Sequence, residues 1–213
     1  MNRRSMIISV GVLALGLFGL GAYLYVPSLE QAASVVASNE TVLERSHSPT
    51  IGPDNAPVTI VEFFDPACEA CRAFHPYVKN ILASAQGKVR LVLRYANFHP
   101  QSEEAIRILE AARLQGKFEE VLERVLAAQP QWAPHGQAGV SVWSVLEGTG
   151  LDINRAKEDA LSADITKVLE KDTADVKAAG VEKTPTFFVN EKPLLEFGPK
   201  QLFELVKSEF DAS

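Results

Sequence analysis

The chain is short of cysteine. Its 213 residues contain only Cys68 and Cys71. That excludes a small domain held together by several disulfides, and a four-cysteine zinc site. It also lacks positive charge, with a formal net of −6. Without the N-terminal segment that carries Arg3 and Arg4, 19 bases face 27 acids, a net of −8. No basic footprint for a phosphate backbone is evident, which argues against nucleic-acid binding. Internal repeats and low-complexity blocks are absent too. Hydrophobic residues make up 46% and charged residues 23%, enough for a packed core and against global disorder.

A third absence is local. From Met6 to Val26 no residue is charged, and the next charge after Arg4 is Glu30. At about 1.5 Å per residue such a run spans a hydrocarbon core of roughly 30 Å. Basic residues before it and an acid after it orient the remainder outward. The length favours an uncleaved anchor over 1–27. A cleaved signal peptide is the rival, but the nearest small-x-small site, Val35-Val36-Ala37, lies well past the run. Either way the domain is expected in an oxidising, extracytoplasmic space of a bacterial envelope, where a disulfide is permitted. Residues 28–51 read as a solvated stalk, and 52–213 as the folded domain.

Gly52-Pro53-Asp54-Asn55-Ala56-Pro57 is a turn-rich entry. VTIVEFF, Val58 to Phe64, is a β-branched and aromatic run suited to a strand buried on both faces. Asp65-Pro66-Ala67 breaks it, and a helix is expected from Cys68 to about Ser84, kinked at Pro76. VRLVLRY, Val89 to Tyr95, is a second strand, which completes a βαβ unit. Helical spacing follows through an insertion at about 101–165 and continues to Ala179. TFFV, Thr186 to Val189, a turn from Asn190 to Pro193, and Leu194 to Phe197 are expected to form a hairpin. Pro199 opens a terminal helix.

Cys68 follows a strand and opens a helix, where unpaired N–H groups and the macrodipole favour a thiolate. Cys71, at i+3, lies on the same face and can close a disulfide with it. Cys68 is thus the expected nucleophile, and Cys71 the thiol that resolves the mixed disulfide. Glu62 sits inside the buried strand, where a carboxylate is unfavourable unless paired or protonated. It is either a residue on a strand face open to water or a buried proton acceptor for Cys71. In KTPTFFV, Lys183 to Val189, Pro185 stands at a strand start. An isolated X-Pro bond is more often trans; a cis Thr184–Pro185 bond would present the backbone of Thr184 to a substrate in β fashion.

A different class of function uses the same cysteines for a soft metal, copper or zinc, with His75 four residues after Cys71 as a third ligand. A purely structural disulfide is disfavoured, because a ring over two intervening residues removes little chain entropy. His99-Pro100 reads as a turn that could contribute to a substrate groove. Trp132 and Trp143 read as packing of the helical block.

VEFFDPACEAC, ANFHPQSEEA, QGKFEEVLERVLA and GVEKTPTFFVN together resemble the DsbA-like branch of the thioredoxin superfamily, over roughly Gly52 to Phe210. The resemblance implies an α/β thioredoxin fold, a central mixed sheet with an inserted helical domain. It implies thiol–disulfide exchange on exported proteins with no dissociable cofactor, the redox centre being the Cys68–Cys71 disulfide. Cys68 matches the attacking cysteine, Cys71 its partner, Glu62 the family's buried acid, and Pro185 the cis-proline with Thr184 before it. Glu69 and Ala70 stand between the cysteines, against the substrate. A membrane redox partner is implied, either a quinone-linked oxidase or a thiol reductant. Two departures bear on electron flow. Strong oxidases of the branch resemble Cys-Pro-His-Cys, whereas Glu69 beside Cys68 is expected to oppose ionisation. Threonine before the proline resembles isomerase- and reductase-type members. Both point to a weaker oxidant than the roughly −120 mV of the strongest example.

Overall fold

The computed structural model describes residues 40–212 apart from Gly136. The expected anchor over 1–27 and the first half of the stalk, 28–39, lie outside the described residues. Among those described, no helix is long and apolar enough to cross a membrane.

Five strands form one mixed sheet in the order β1-β3-β2-β4-β5. β2 (Val58–Phe64) is central, parallel to β3 (Val89–Tyr95) and antiparallel to β4 (Thr186–Val189). All seven residues of β2 are buried, as its β-branched and aromatic composition requires. β1 (Thr50–Ile51) adds to β3, and β5 (Lys192–Pro193) to β4, both antiparallel. This is the thioredoxin arrangement that the resemblance implies.

Alternation divides β2 between two cores. Val58, Ile60 and Phe64 face α1 (Glu69–Ser84) and α7 (Pro199–Ala212), packing with Cys71, Phe74, Val78 and Leu202. Val61 and Phe63 face the other way, against Val176 and Val181. Glu62, in step with Ile60 and Phe64, therefore shares the face that carries Cys71.

Between β3 and β4 lie α2 (Ser102–Leu114), α3 (Phe118–Ala127), α4 (Gln129–Trp132), a 3-10 turn (Val142–Val145), α5 (Ile153–Asp159) and α6 (Ala163–Ala178). Ala105, Ile106, Leu109, Val121, Leu122 and Val125 bury their stripes in the Cys71 core. Trp132 is buried and its indole donates to the Val125 carbonyl at 2.8 Å. Trp143 donates to Glu104 at 2.9 Å. Both tryptophans pack the helical block, as read from the sequence.

Two boundaries differ from expectation. Residues 42–51, expected to belong to the stalk, are part of the domain: Leu43 is buried, and Thr50–Ile51 is a strand. Polar ties hold the segment. Arg94 is fully buried, binds Asp172 at 2.7 Å and Asp175 at 2.8 Å, and donates to the Val42 carbonyl. Arg45 grips Asp175 through two bonds of 2.8 Å, and His47 meets Asp172 at 2.7 Å. Gly52 follows at φ 108°, where a Cβ would lie 2.9 Å from the Val89 carbonyl oxygen, so only glycine fits this approach to β3.

The hairpin is also shorter than expected. Its return strand is Lys192–Pro193, not Leu194–Phe197, and the turn is only Asn190-Glu191. Both turn residues have positive φ (44° and 67°), as a two-residue hairpin favours. The Asn190 side chain accepts from the Thr59 N–H at 2.9 Å, tying the turn to β2.

Candidate active site

Cys68 is the N-cap of α1, in extended conformation, with a side chain that caps nothing. Its N–H donates to the Asp65 carbonyl at 3.0 Å, which closes the turn that Asp65-Pro66-Ala67 imposes after β2. The sulfur is thereby left at the helix mouth. Across from it stands the Thr184 carbonyl, 3.3 Å from Sγ, and the Thr184–Pro185 bond is cis. Cys68, Cys71, Thr184 and Pro185, separated by more than a hundred residues, are thus brought to one place.

Both cysteines are free thiols, and their acidities diverge. A hydrogen bond from Cys71 is the largest effect lowering the Cys68 thiol. The Thr184 side chain and the N–H groups of Cys71 and Ala70 add to it. Against the opposing effect of burial they bring Cys68 from 9.0 to about 5. Cys71 moves the other way, well above 9.0, because it is buried, donates to Cys68, and feels the charges of Glu62 and Cys68. An N–H of Asp65, 3.5 Å from its sulfur, offsets part of this. One sulfur is therefore an anion at neutral pH and the other remains protonated.

The expectation that Glu69 opposes ionisation of Cys68 needs correction. Glu69 is exposed and is not among the causes that set the Cys68 thiol. Four hydrogen bonds at the sulfur outweigh a carboxylate that points to water. Ala70 contributes through its backbone, and its side chain is half-buried.

Glu62 is 2% exposed. Burial, and then the negative charge of Cys68, raise its carboxyl from 4.5 to about 8. It is a protonated acid beneath the cysteines at neutral pH, rather than a residue on an open strand face.

Several residues missed in the sequence support the turn. The Asp65 carboxylate is fully buried, and five donors converge on it. They are the N–H groups of Ala67 (2.8 Å), Phe98 (2.9 Å) and His99 (3.2 Å), His99 Nδ1 (2.7 Å) and the Ser102 hydroxyl. Gln129, also buried, donates to the carbonyls of Pro66 and Cys68, each at 2.9 Å, and accepts from Arg72 at 2.9 Å. Helical block and cysteine turn are so joined. The one signal for Asp65 was its place directly after a buried strand.

A cleft of about 670 Å³ opens beside Cys68, between the cysteine turn and the block. Glu69, Ala70, His99, Pro100, Pro134, His135 and Gln137 are among the residues that line it. His99-Pro100 thus borders the groove, as its position suggested. The Cys/Cys/His metal cluster does not assemble: the His75 ring bonds Glu123 of α3 at 2.9 Å. Among the described residues no group of three or more His, Cys, Asp or Glu could hold a metal ion.

Comparisons agree with this geometry. The family model described as "Thioredoxin" matches residues 44–208, and the chain belongs to that family. A thioredoxin-like oxidoreductase from Silicibacter pomeroyi DSS-3 superposes with a TM-score of 0.69 at 27% identity, over 82% of this chain and 99% of that one. Oxidised BdbD from Bacillus subtilis shares the fold with a TM-score of 0.67 at 24% identity, over 78% and 94% of the two chains. In sequence, the chain is 30% identical over 192 residues to a Na(+)/H(+) antiporter NhaA of Herminiimonas arsenicoxydans. That match covers 87% of this chain but spans only 30% of the antiporter.

Proposed function

We propose that the protein is a thiol–disulfide oxidoreductase for exported proteins, with Cys68 as nucleophile and Cys71 as resolving thiol. The observation that carries this is the split acidity of the pair, with Cys68 near 5 and Cys71 well above 9. The Cys68 thiolate attacks a substrate disulfide and forms a mixed disulfide, which Cys71 then breaks. Cys71 must lose a proton to do so, and Glu62 on the same sheet face accepts it once it has itself ionised. Once Cys68 is bonded to substrate its charge is gone, and with it one of the two causes that kept Glu62 protonated. Oxidation of a dithiol runs these steps in reverse.

Thr184 binds the substrate backbone beside the sulfur. Its carbonyl faces Cys68, and no protein partner takes its N–H among the described residues. Pro185, Glu69 and Ala70 complete the contact surface. No dissociable cofactor is required, since the electron pair resides in the cysteines. A thiol of about 5 lies between thioredoxin, near 7, and the strongest DsbA-type oxidant, about 3.5. A reduction potential between roughly −270 and −120 mV follows, less oxidising than that extreme.

The apolar run Met6 to Val26 supports a single-pass location in the bacterial inner membrane with the domain outside the cytoplasm, or release if the run is cleaved. Its partners there are exported proteins bearing thiols or disulfides, and a membrane protein that resets the cysteines. The test is trapping. Cys71→Ser accumulates mixed disulfides with exported proteins on non-reducing electrophoresis, and Cys68→Ser forms none and loses exchange activity. Activity retained by Cys68→Ser contradicts the proposal.

A further inference from the structure

Glu62 is buried, is coupled to both cysteines, and does not line the cleft beside Cys68. The substrate sulfur on the cleft side also changes protonation, and the chemistry leaves that proton unassigned. His99 occupies the matching position. It lines the cleft with Cys68 and is held twice by one carboxylate, through its N–H at 3.2 Å and Nδ1 at 2.7 Å. The same Asp65 carboxylate fixes the Ala67 N–H at 2.8 Å, one residue before Cys68. Ring and thiolate are thus set from a common anchor. A carboxylate on Nδ1 accepts its hydrogen, which fixes the tautomer and leaves Nε2 to exchange protons. Nε2 has no hydrogen-bond partner among the described residues, and the side chain is 44% exposed. His135, also in the cleft lining, has no such hold on its ring among the described residues.

We propose that His99, oriented by Asp65, is the proton donor and acceptor for the substrate sulfur, which deepens and rests on the thiol–disulfide function above. In reduction, Cys68 sulfur bonds to one sulfur of a substrate disulfide and the S–S bond breaks. The departing sulfur leaves with the electron pair and takes the proton from His99 Nε2. Cys68 is oxidised to the mixed disulfide and the departing sulfur is reduced to a thiol. In oxidation, neutral Nε2 takes the proton of a substrate thiol, whose sulfur then attacks the mixed disulfide and releases Cys68 as thiolate. Asp65 is the positioning residue. Cys68, Glu69 and His135 are the other titratable groups around the cleft.

The test compares two disulfides with the reduced full chain by stopped flow. A nitroaryl disulfide releases a thiolate that needs no proton, and oxidised glutathione releases an alkyl thiolate that does. His99→Gln should slow glutathione exchange about 100-fold, and aryl exchange by less than about threefold. His99→Asn, which keeps a donor towards Asp65, should behave alike and guards against misfolding of the first variant. Equal losses with both disulfides, or no loss with either, overturn the role of His99. Wild type that exchanges with neither contradicts the oxidoreductase function instead.

Discussion

Glu62 places a carboxyl where water hardly reaches, with no hydrogen-bonding side chain to compensate it among the described residues, so folding favours its protonated form. A folded value of about 8 against 4.5 fixes the sign of the linkage. The contribution is fully present below pH 4.5 and is lost as pH rises through 8. Glu62→Gln, a neutral isostere, should therefore gain stability over the wild type from pH 5 to pH 8. By chemical denaturation of the reduced proteins the gain should reach the order of a few kcal/mol. It should shrink in the disulfide form, where the Cys68 charge is absent. The same variant should resolve mixed disulfides between Cys68 and substrate about 100-fold more slowly at pH 7, measured by quenched single turnover. A variant with unchanged release, whatever its stability, returns Glu62 to a packing role.

The segment 42–51 and the cysteine turn are the elements whose attachment is least local. Arg94 holds the first by binding two carboxylates and the Val42 carbonyl from within the core. Arg94→Met leaves Asp172 and Asp175 buried without it, and should cost about 3–5 kcal/mol in denaturant unfolding. For Asp175, burial raises the carboxyl, but the hydrogen bonds of Arg45 and Arg94 prevail and lower it from 3.8 to about 2. That stability is present above pH 3.8 and is lost as pH falls through 2. Arg45→Ala should thus unfold at a higher pH on acid titration followed by circular dichroism. The central strands were legible in the sequence because VTIVEFF and VRLVLRY carry their own composition, and α1 because Asp65-Pro66 stops a strand. Segment 42–51 was not. Its buried residues, Leu43, Ser48 and Pro49, show no period, and its ties are ionic contacts to residues 130 positions away in the case of Arg45. Asp65 and Gln129 were hidden for the same reason: a carboxylate that collects donors from residues 67, 98, 99 and 102, and an amide that bonds residues 66, 68 and 72 from another helix, have no spacing to read. Leu194 to Phe197 looked like a strand because it is apolar, yet Leu195 is 89% exposed and only Lys192–Pro193 pairs with β4.

Across the whole molecule, the sheet brings two distant sequence motifs to one sulfur and the helical block closes a cleft over it. The electrical consequence is a pair of thiols of divergent acidity, Cys68 lowered to about 5 and Cys71 raised well above 9.0. A stabilised thiolate favours the dithiol over the disulfide, so the molecule should draw electrons from substrates more strongly than thioredoxin does. Equilibration with glutathione buffers should place its potential between roughly −270 and −120 mV. The most direct measurement is the pH dependence of thiolate absorbance and iodoacetamide reaction in the reduced protein, with Cys68→Ser as reference. A single transition centred near pH 5 that disappears in Cys68→Ser is the predicted result. A transition near pH 9 in the wild type would contradict the account at its centre.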